Sequence, residues 1–79
     1  MQPFFVTSGN MTADRRYEFA QQYFKRGDLD AAADVMAQAV ELAPHFAAAW
    51  FALGEINDAR GKREEAIAAF KRARDHDRE

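Results

Sequence analysis

Few side chains in this 79-residue sequence could carry out catalysis. The chain has a single serine, Ser8, together with two histidines and no cysteine. His45 follows Pro44 in a predicted turn, and His76 falls at the end of a predicted helix, where a positive charge is favourable. Ser8 has no histidine at a fixed spacing, and the adjoining His76 and Asp77 lack a third ligand. We therefore expect neither a catalytic residue nor a metal site.

The glycines do not form a phosphate-binding loop. Gly9, Gly27, Gly54 and Gly61 are far apart, and none belongs to a GxGxxG pattern. We interpret them as a turn residue, two helix ends and a close packing position. The sequence predicts no cofactor and no enzymatic activity.

The charge pattern limits the classes of partner. Eleven basic and thirteen acidic residues give a net charge of −2, which does not favour nucleic-acid binding. Residues 60–79 carry a net charge of +2 and residues 1–59 a net charge of −4. This asymmetry could steer an acidic partner toward the C-terminal end, but solvated helix faces are the favoured interpretation. The apolar runs are far shorter than the ~20 residues that span a bilayer. We expect a cytoplasmic protein that binds neither nucleic acid nor membrane.

Alanine content predicts the fold class. Seventeen alanines stand against five valines and isoleucines together, which favours helices over strands. Apolar residues recur at helical spacing, and breakers separate the segments. We predict an all-α domain over residues 12–79, with helices at about 13–26, 29–43, 46–60 and 63–76. Residues 1–11 are predicted to form a flexible N-terminal arm, with Thr12 as the N-cap of the first helix.

The two halves of the domain repeat each other. A shift of 34 residues superposes identical residues: Ala13 on Ala47, Arg26 on Arg60, Gly27 on Gly61, Ala32 on Ala66 and Ala39 on Ala73. It also pairs Tyr17 with Phe51, Ala20 with Gly54 and Met36 with Phe70, which keeps large residues on large and small on small. Two helix pairs with this period indicate an internal repeat.

Residues 13–78 resemble two copies of the tetratricopeptide repeat. The second copy carries Trp50-x-x-Leu53-Gly54, then Gly61, Ala66-x-x-x-Phe70 and Ala73; the first carries Phe19-Ala20-x-x-Tyr23, Gly27-Asp28, Ala32-x-x-x-Met36, Ala39 and Pro44. Three residues depart from the family pattern, which would have tryptophan at Arg16, tyrosine at Asn57 and proline at Arg78. The resemblance implies two helix-turn-helix hairpins, a short α-solenoid of four antiparallel helices.

The same resemblance implies a function and a site. In this family the first helix of each pair lines a concave face, on which extended peptides or helices bind. The sequence is thus predicted to be a non-enzymatic protein-interaction or scaffold module. Its partner-binding residues are expected to be Tyr17, Gln21, Phe24, Lys25, Phe51, Glu55 and Asp58. The aromatic members of this set have the character of binding hot spots.

Two questions stay open at the level of sequence. Ile67, Phe70 and Ala73 of the fourth helix have no following helix to cover them. The arm segment 4–6 could fold back on them, a second chain could cover them in a homodimer, or the chain could be part of a longer protein. An alternative function follows from the last case, namely an N-terminal recruiting or oligomerisation segment of a larger enzyme such as a bacterial methyltransferase.

Overall fold

The computed structural model describes residues 7–77, which form four α-helices without a β-strand. These are α1 (Met11–Arg26), α2 (Leu29–Leu42), α3 (Ala47–Ala59) and α4 (Arg63–His76). The helices pack as two hairpins, α1 against α2 and α3 against α4, and α3 also packs against α2. The predicted all-α class with helical hairpins is confirmed.

Helix α1 begins with a different cap from the predicted one. Asn10 has extended backbone angles, and its side-chain oxygen accepts a hydrogen bond of 2.9 Å from the backbone N–H of Ala13. Thr12 is already inside the first helical turn, so the prediction that it is the N-cap is wrong. An N-cap needs a non-helical backbone so that its side chain can reach the free N–H groups, and only Asn10 meets this condition.

The two hairpin turns repeat the same hydrogen bonds. Gly27 has a φ of +85°, its N–H donates to the carbonyl of Phe24, and the N–H of Asp28 donates to that of Tyr23. One repeat later Gly61 has a φ of +78°, and the corresponding bonds run from Gly61 to Asp58 and from Lys62 to Asn57. This is the Schellman arrangement, which requires a residue that tolerates positive φ. The internal repeat therefore holds at the level of individual hydrogen bonds.

Small residues let the helices approach closely. Ala20, Ala32 and Ala39 are completely buried. Gly54 on α3 lies so close to the Phe70 ring that a Cβ atom would stand 2.5 Å from Cε1. The helices of the core are therefore in close contact. Larger side chains such as Met36 and Ile56 are fully buried between them.

The buried side chain of Asn57 accepts a hydrogen bond from Arg60. Its side chain is 6% exposed, and its Oδ1 accepts a hydrogen bond of 2.9 Å from Nη1 of Arg60. Nε of Arg60 also lies 3.0 Å from a carboxylate oxygen of Asp30 on α2. This exposed ion pair contributes little stability by itself. Arg60 thus contacts both the exposed Asp30 and the buried Asn57.

The segment before α1 is tied to the helix by Asp14. The carboxylate of Asp14 accepts hydrogen bonds of 2.7 Å from the hydroxyl of Thr7, and of 2.7 and 2.8 Å from the N–H and hydroxyl of Ser8. Burial alone would raise the pKa of Asp14, but these three bonds outweigh it and hold the pKa below its ordinary value of 3.8. The segment 4–6, expected to fold back, and Arg78 lie outside the described residues. The boundary between arm and domain at residue 12 stays a prediction.

Candidate interaction surface

The predicted site residues come from α1 and α3, the first helices of the two hairpins. Three pairs stand one repeat apart: Tyr17 with Phe51, Gln21 with Glu55, and Phe24 with Asp58; Lys25 completes the set. Because α3 packs beside α1 across the shared α2, positions one repeat apart lie on neighbouring helices. The members of this set differ in their contacts and in their burial.

Tyr17, Gln21 and Glu55 form one group. The Tyr17 ring is half-buried against Phe46, with 5.1 Å between ring centroids, and its hydroxyl accepts a hydrogen bond of 3.0 Å from the Gln21 amide. Burial raises the pKa of Tyr17 above its ordinary value of 10, the Gln21 bond works against this, and the negative charge of Glu55 adds to it. The group therefore offers a fixed phenol and amide beside an exposed carboxylate.

Phe24, Lys25 and Asp58, three further residues of the predicted set, do not join this group. Phe24 is half-buried and packs against the core, so it is less available than the sequence suggested. Lys25 and Asp58 are exposed. No hydrogen bond or ion pair between described residues connects their side chains to the Tyr17 group. Lys25 and Asp58 are therefore exposed charges that are separate from the Tyr17 group.

Phe51 lies at the edge of a groove. Its side chain is 52% exposed, and its ring centroid stands 5.4 Å from that of Phe70 on α4. The groove has a volume of about 700 Å³ and runs between the start of α3 and the end of α4. Its lining residues are Ala47, Ala48, Phe51, Phe70, Ala73, Arg74 and Asp77. The wall is apolar except for the charged side chains of Arg74 and Asp77.

Of these lining residues, only Phe51 belongs to the predicted site. The others could have been found from the repeat itself. Shifting the groove residues back by 34 positions gives, in the first hairpin, Ala13, Asp14, Tyr17, Met36, Ala39, Val40 and Ala43, and most of these are buried where α3 packs. Of the fourth-helix residues expected to be uncovered, Ile67 is 48% exposed and Phe70 half-buried, but Ala73 is only 7% exposed.

Residues 7–77 show neither a metal-binding cluster nor a membrane-spanning helix. They bring together no group of three histidine or acidic side chains that could hold a metal ion. The four described helices are also too short or too polar for any of them to cross a bilayer. The geometry that remains is a helical surface with aromatic and charged side chains.

Helical hairpins stacked with a 34-residue period define the chain as a helical repeat protein. A family model described as tetratricopeptide repeat matches residues 17–78. The chain belongs to the tetratricopeptide repeat family. No curated protein matches the sequence. Members of this family generally bind other proteins or act as scaffolds, and they are typically not enzymes.

Proposed function

We propose that this chain is a protein-interaction module that binds a partner peptide or helix on the face formed by α1 and α3. The binding surface consists of Tyr17, Gln21, Phe24, Lys25, Phe51, Glu55 and Asp58. Phe51 supplies the main apolar contact, the Tyr17 and Gln21 pair supplies hydrogen bonds, and the three charged residues form the rim.

The observation that carries this proposal is the exposure of Phe51 on α3, the helix next to the one that carries the fixed Tyr17 group. A phenyl ring that is half exposed loses contact with water when a partner covers it, which favours binding. Tyr17 is already ordered by Phe46 and Gln21, so little side-chain entropy is lost when it meets a partner. Aromatic side chains that are shielded from water on binding are common in binding hot spots.

The test is a random peptide library displayed on phage and selected on the full 79-residue chain. Peptides recovered on the parent should bind Phe51→Ala and Tyr17→Ala at least about tenfold more weakly, with helix content by circular dichroism unchanged. Phe19→Ala is the matched control, because Phe19 is 56% exposed but absent from the predicted set. Peptides that bind both variants as well as the parent, or that lose affinity only for Phe19→Ala, contradict the assignment.

The remaining expectations belong to the same proposal. The chain acts without catalysis, its partner is another protein rather than nucleic acid or membrane, and its location is cytoplasmic. The homodimer predicted from the uncovered fourth helix is a competing way to use the apolar edge, and molar mass decides it. The alternative of a segment of a larger enzyme stays a prediction, since no contact of the described residues favours it.

A further inference from the structure

The groove beside Phe51 has an equivalent in the first hairpin, and that equivalent is filled. The shift of 34 residues relates three residues of the groove wall to the first hairpin: Phe51 to Tyr17, Phe70 to Met36 and Ala73 to Ala39. Met36 and Ala39 are completely buried. The ring of Phe46, which is only 4% exposed, packs on Tyr17 with 5.1 Å between the ring centroids. The first hairpin therefore contains a filled example of the site that the second hairpin leaves open.

The segment that fills the first site has a simple chemistry. It consists of Phe46, which precedes α3, and of the first turn of α3, which packs against α2. The N–H of Ala49 donates a hydrogen bond of 3.0 Å to the carbonyl of Phe46, and the Ala49 side chain is completely buried. Residues three apart lie on the same face of a helical turn. The segment thus presents an aromatic ring and, three residues later, a side chain small enough for close backbone approach.

The rim of the groove differs from its equivalent, and this difference limits the size of an occupant. Two charged residues line the rim, Arg74 and Asp77, and both are exposed. Their equivalents in the first hairpin, Val40 and Ala43, are buried where α3 packs. A complete hairpin stacked on the groove, from a second copy or from another protein, would take both charges out of water at a desolvation cost. A short segment that reaches only the wall around Phe51 leaves both charges hydrated.

We infer that the partner is a short peptide segment in which an aromatic residue is followed, three positions later, by alanine or glycine. The aromatic ring packs against Phe51 and Phe70, and the small residue lies over Ala73. Burial of the apolar wall and contact between aromatic rings both favour this arrangement. The inference rests on the function proposed above and deepens it, because it gives the chemistry of the partner and extends the binding surface from α3 to α4.

The test uses the peptides that are selected from the phage library on the full 79-residue chain. These peptides should share an aromatic residue followed at the third position by alanine or glycine. A synthetic peptide from the selection should lose about tenfold or more in affinity when its aromatic residue is replaced by alanine.

Two variants of the chain test the place of binding. Ala48→Leu fills the groove from α3 and should weaken the same peptide about tenfold or more. Ala68→Leu is the matched control, because Ala68 is an exposed alanine of α4 outside the groove, and its affinity should stay within about twofold of the parent. Both changes keep a strong helix former, so helix content by circular dichroism should be unchanged.

A second measurement needs no variant of the chain. In the complex of the parent with the synthetic peptide, nuclear Overhauser effects should connect ring protons of the peptide to the methyl group of Ala73. Their absence overturns the inference. An Overhauser effect in the free monomer from this methyl group to an aromatic ring outside the groove also overturns it, because the chain then fills its own groove. A dimer mass by light scattering that Ala48→Leu converts to a monomer mass overturns it too, because a second copy is then the occupant.

Failure of the inference and failure of the proposed function give different results. Peptides that lose affinity for Phe51→Ala and Tyr17→Ala, but lack the aromatic pattern or bind Ala48→Leu like the parent, overturn the inference and leave the proposed function standing. Peptides that bind Phe51→Ala and Tyr17→Ala like the parent overturn both, as does a selection from which no peptide is recovered.

Discussion

Gly54 is the position at which a single methyl group tests the packing of the second hairpin. A Cβ atom there would lie 2.5, 2.6 and 2.9 Å from three carbons of the Phe70 ring. Real side chains do not approach this closely, so the ring must move in Gly54→Ala. The open groove beside Phe70 allows the ring to turn outward, but the turn breaks its contact with Phe51.

The expected magnitude follows from opposing terms. Alanine in place of glycine inside a helix gains about 0.5–1 kcal/mol. Losing the Phe51–Phe70 pair costs about 0.5–1.5 kcal/mol, and a strained side-chain angle at Phe70 costs a similar amount. We expect a net destabilisation of about 1 kcal/mol in Gly54→Ala, which lowers the Tm by roughly 4–8 °C in a domain of this size.

The assay is thermal and urea unfolding of four proteins: the parent, Gly54→Ala, Phe70→Ala and the double variant. Once the Phe70 ring is removed, the methyl group has nothing to displace, so Gly54→Ala should reverse its sign and stabilise the Phe70→Ala background by about 0.5–1 kcal/mol. If Gly54→Ala already stabilised the parent, the ring would move at no cost and the close packing argument would be refuted. Equal destabilisation in both backgrounds would place the cause outside Phe70.

Three further predictions concern the start of the chain and Tyr17. Asn10→Ala should destabilise the fold by about 1 kcal/mol because the N-cap acceptor is lost, whereas Asn10→Asp, which keeps an acceptor, should be close to the parent in urea unfolding. The carboxyl carbon of Asp14 should titrate by NMR below pH 3.8. Because the folded pKa of Asp14 is lowered, its stabilising contribution is present above about pH 4 and is lost as the pH falls through that folded value. A titration midpoint above 3.8 would contradict the hydrogen bonds from Ser8 and Thr7. Tyr17 should ionise above pH 10, measured as the ultraviolet difference between the parent and Tyr17→Phe. Because the folded pKa of Tyr17 is raised, its contribution to stability is present below pH 10 and is lost as the pH rises through that folded value. Ionisation at or below pH 10 would show that burial does not raise the pKa of Tyr17.

The fold was largely predictable because the local turn residues and the repeat period indicate the same helix boundaries. Gly27 and Gly61 stand at turns where only a residue that tolerates positive φ fits, and the 34-residue shift of the sequence already makes the two turns equivalent. The start of α1 was not predictable in the same way. Asn10 and Thr12 are both good cap residues, and the choice between them depends on where Asp14 holds the preceding segment.

The candidate site was predictable only in part. The equivalence of Tyr17 and Phe51 followed from the 34-residue shift, and their assignment to the binding face followed from the family resemblance. Their exposure did not, because exposure depends on which neighbour packs against each ring. The Tyr17 ring packs against Phe46 from the loop before α3, whereas the Phe51 ring packs against Phe70 of its own hairpin and stays half exposed. Equivalence in the repeat pattern does not predict this difference in exposure, because the difference depends on the position of each hairpin in the array.

The two ends of the described array differ in chemistry, and this difference bears on what covers them. Stacked repeats need polar residues on their outer faces, because an end has no neighbour to bury it. The α1 end largely obeys this rule, because Arg15, Glu18 and Gln22 are exposed there around a single exposed aromatic, Phe19. The α4 end does not, since Phe51 and Ile67 are about half exposed beside an apolar groove. The largely polar α1 end is suited to contact with water, whereas the apolar groove at the α4 end is the place where we expect an occupant.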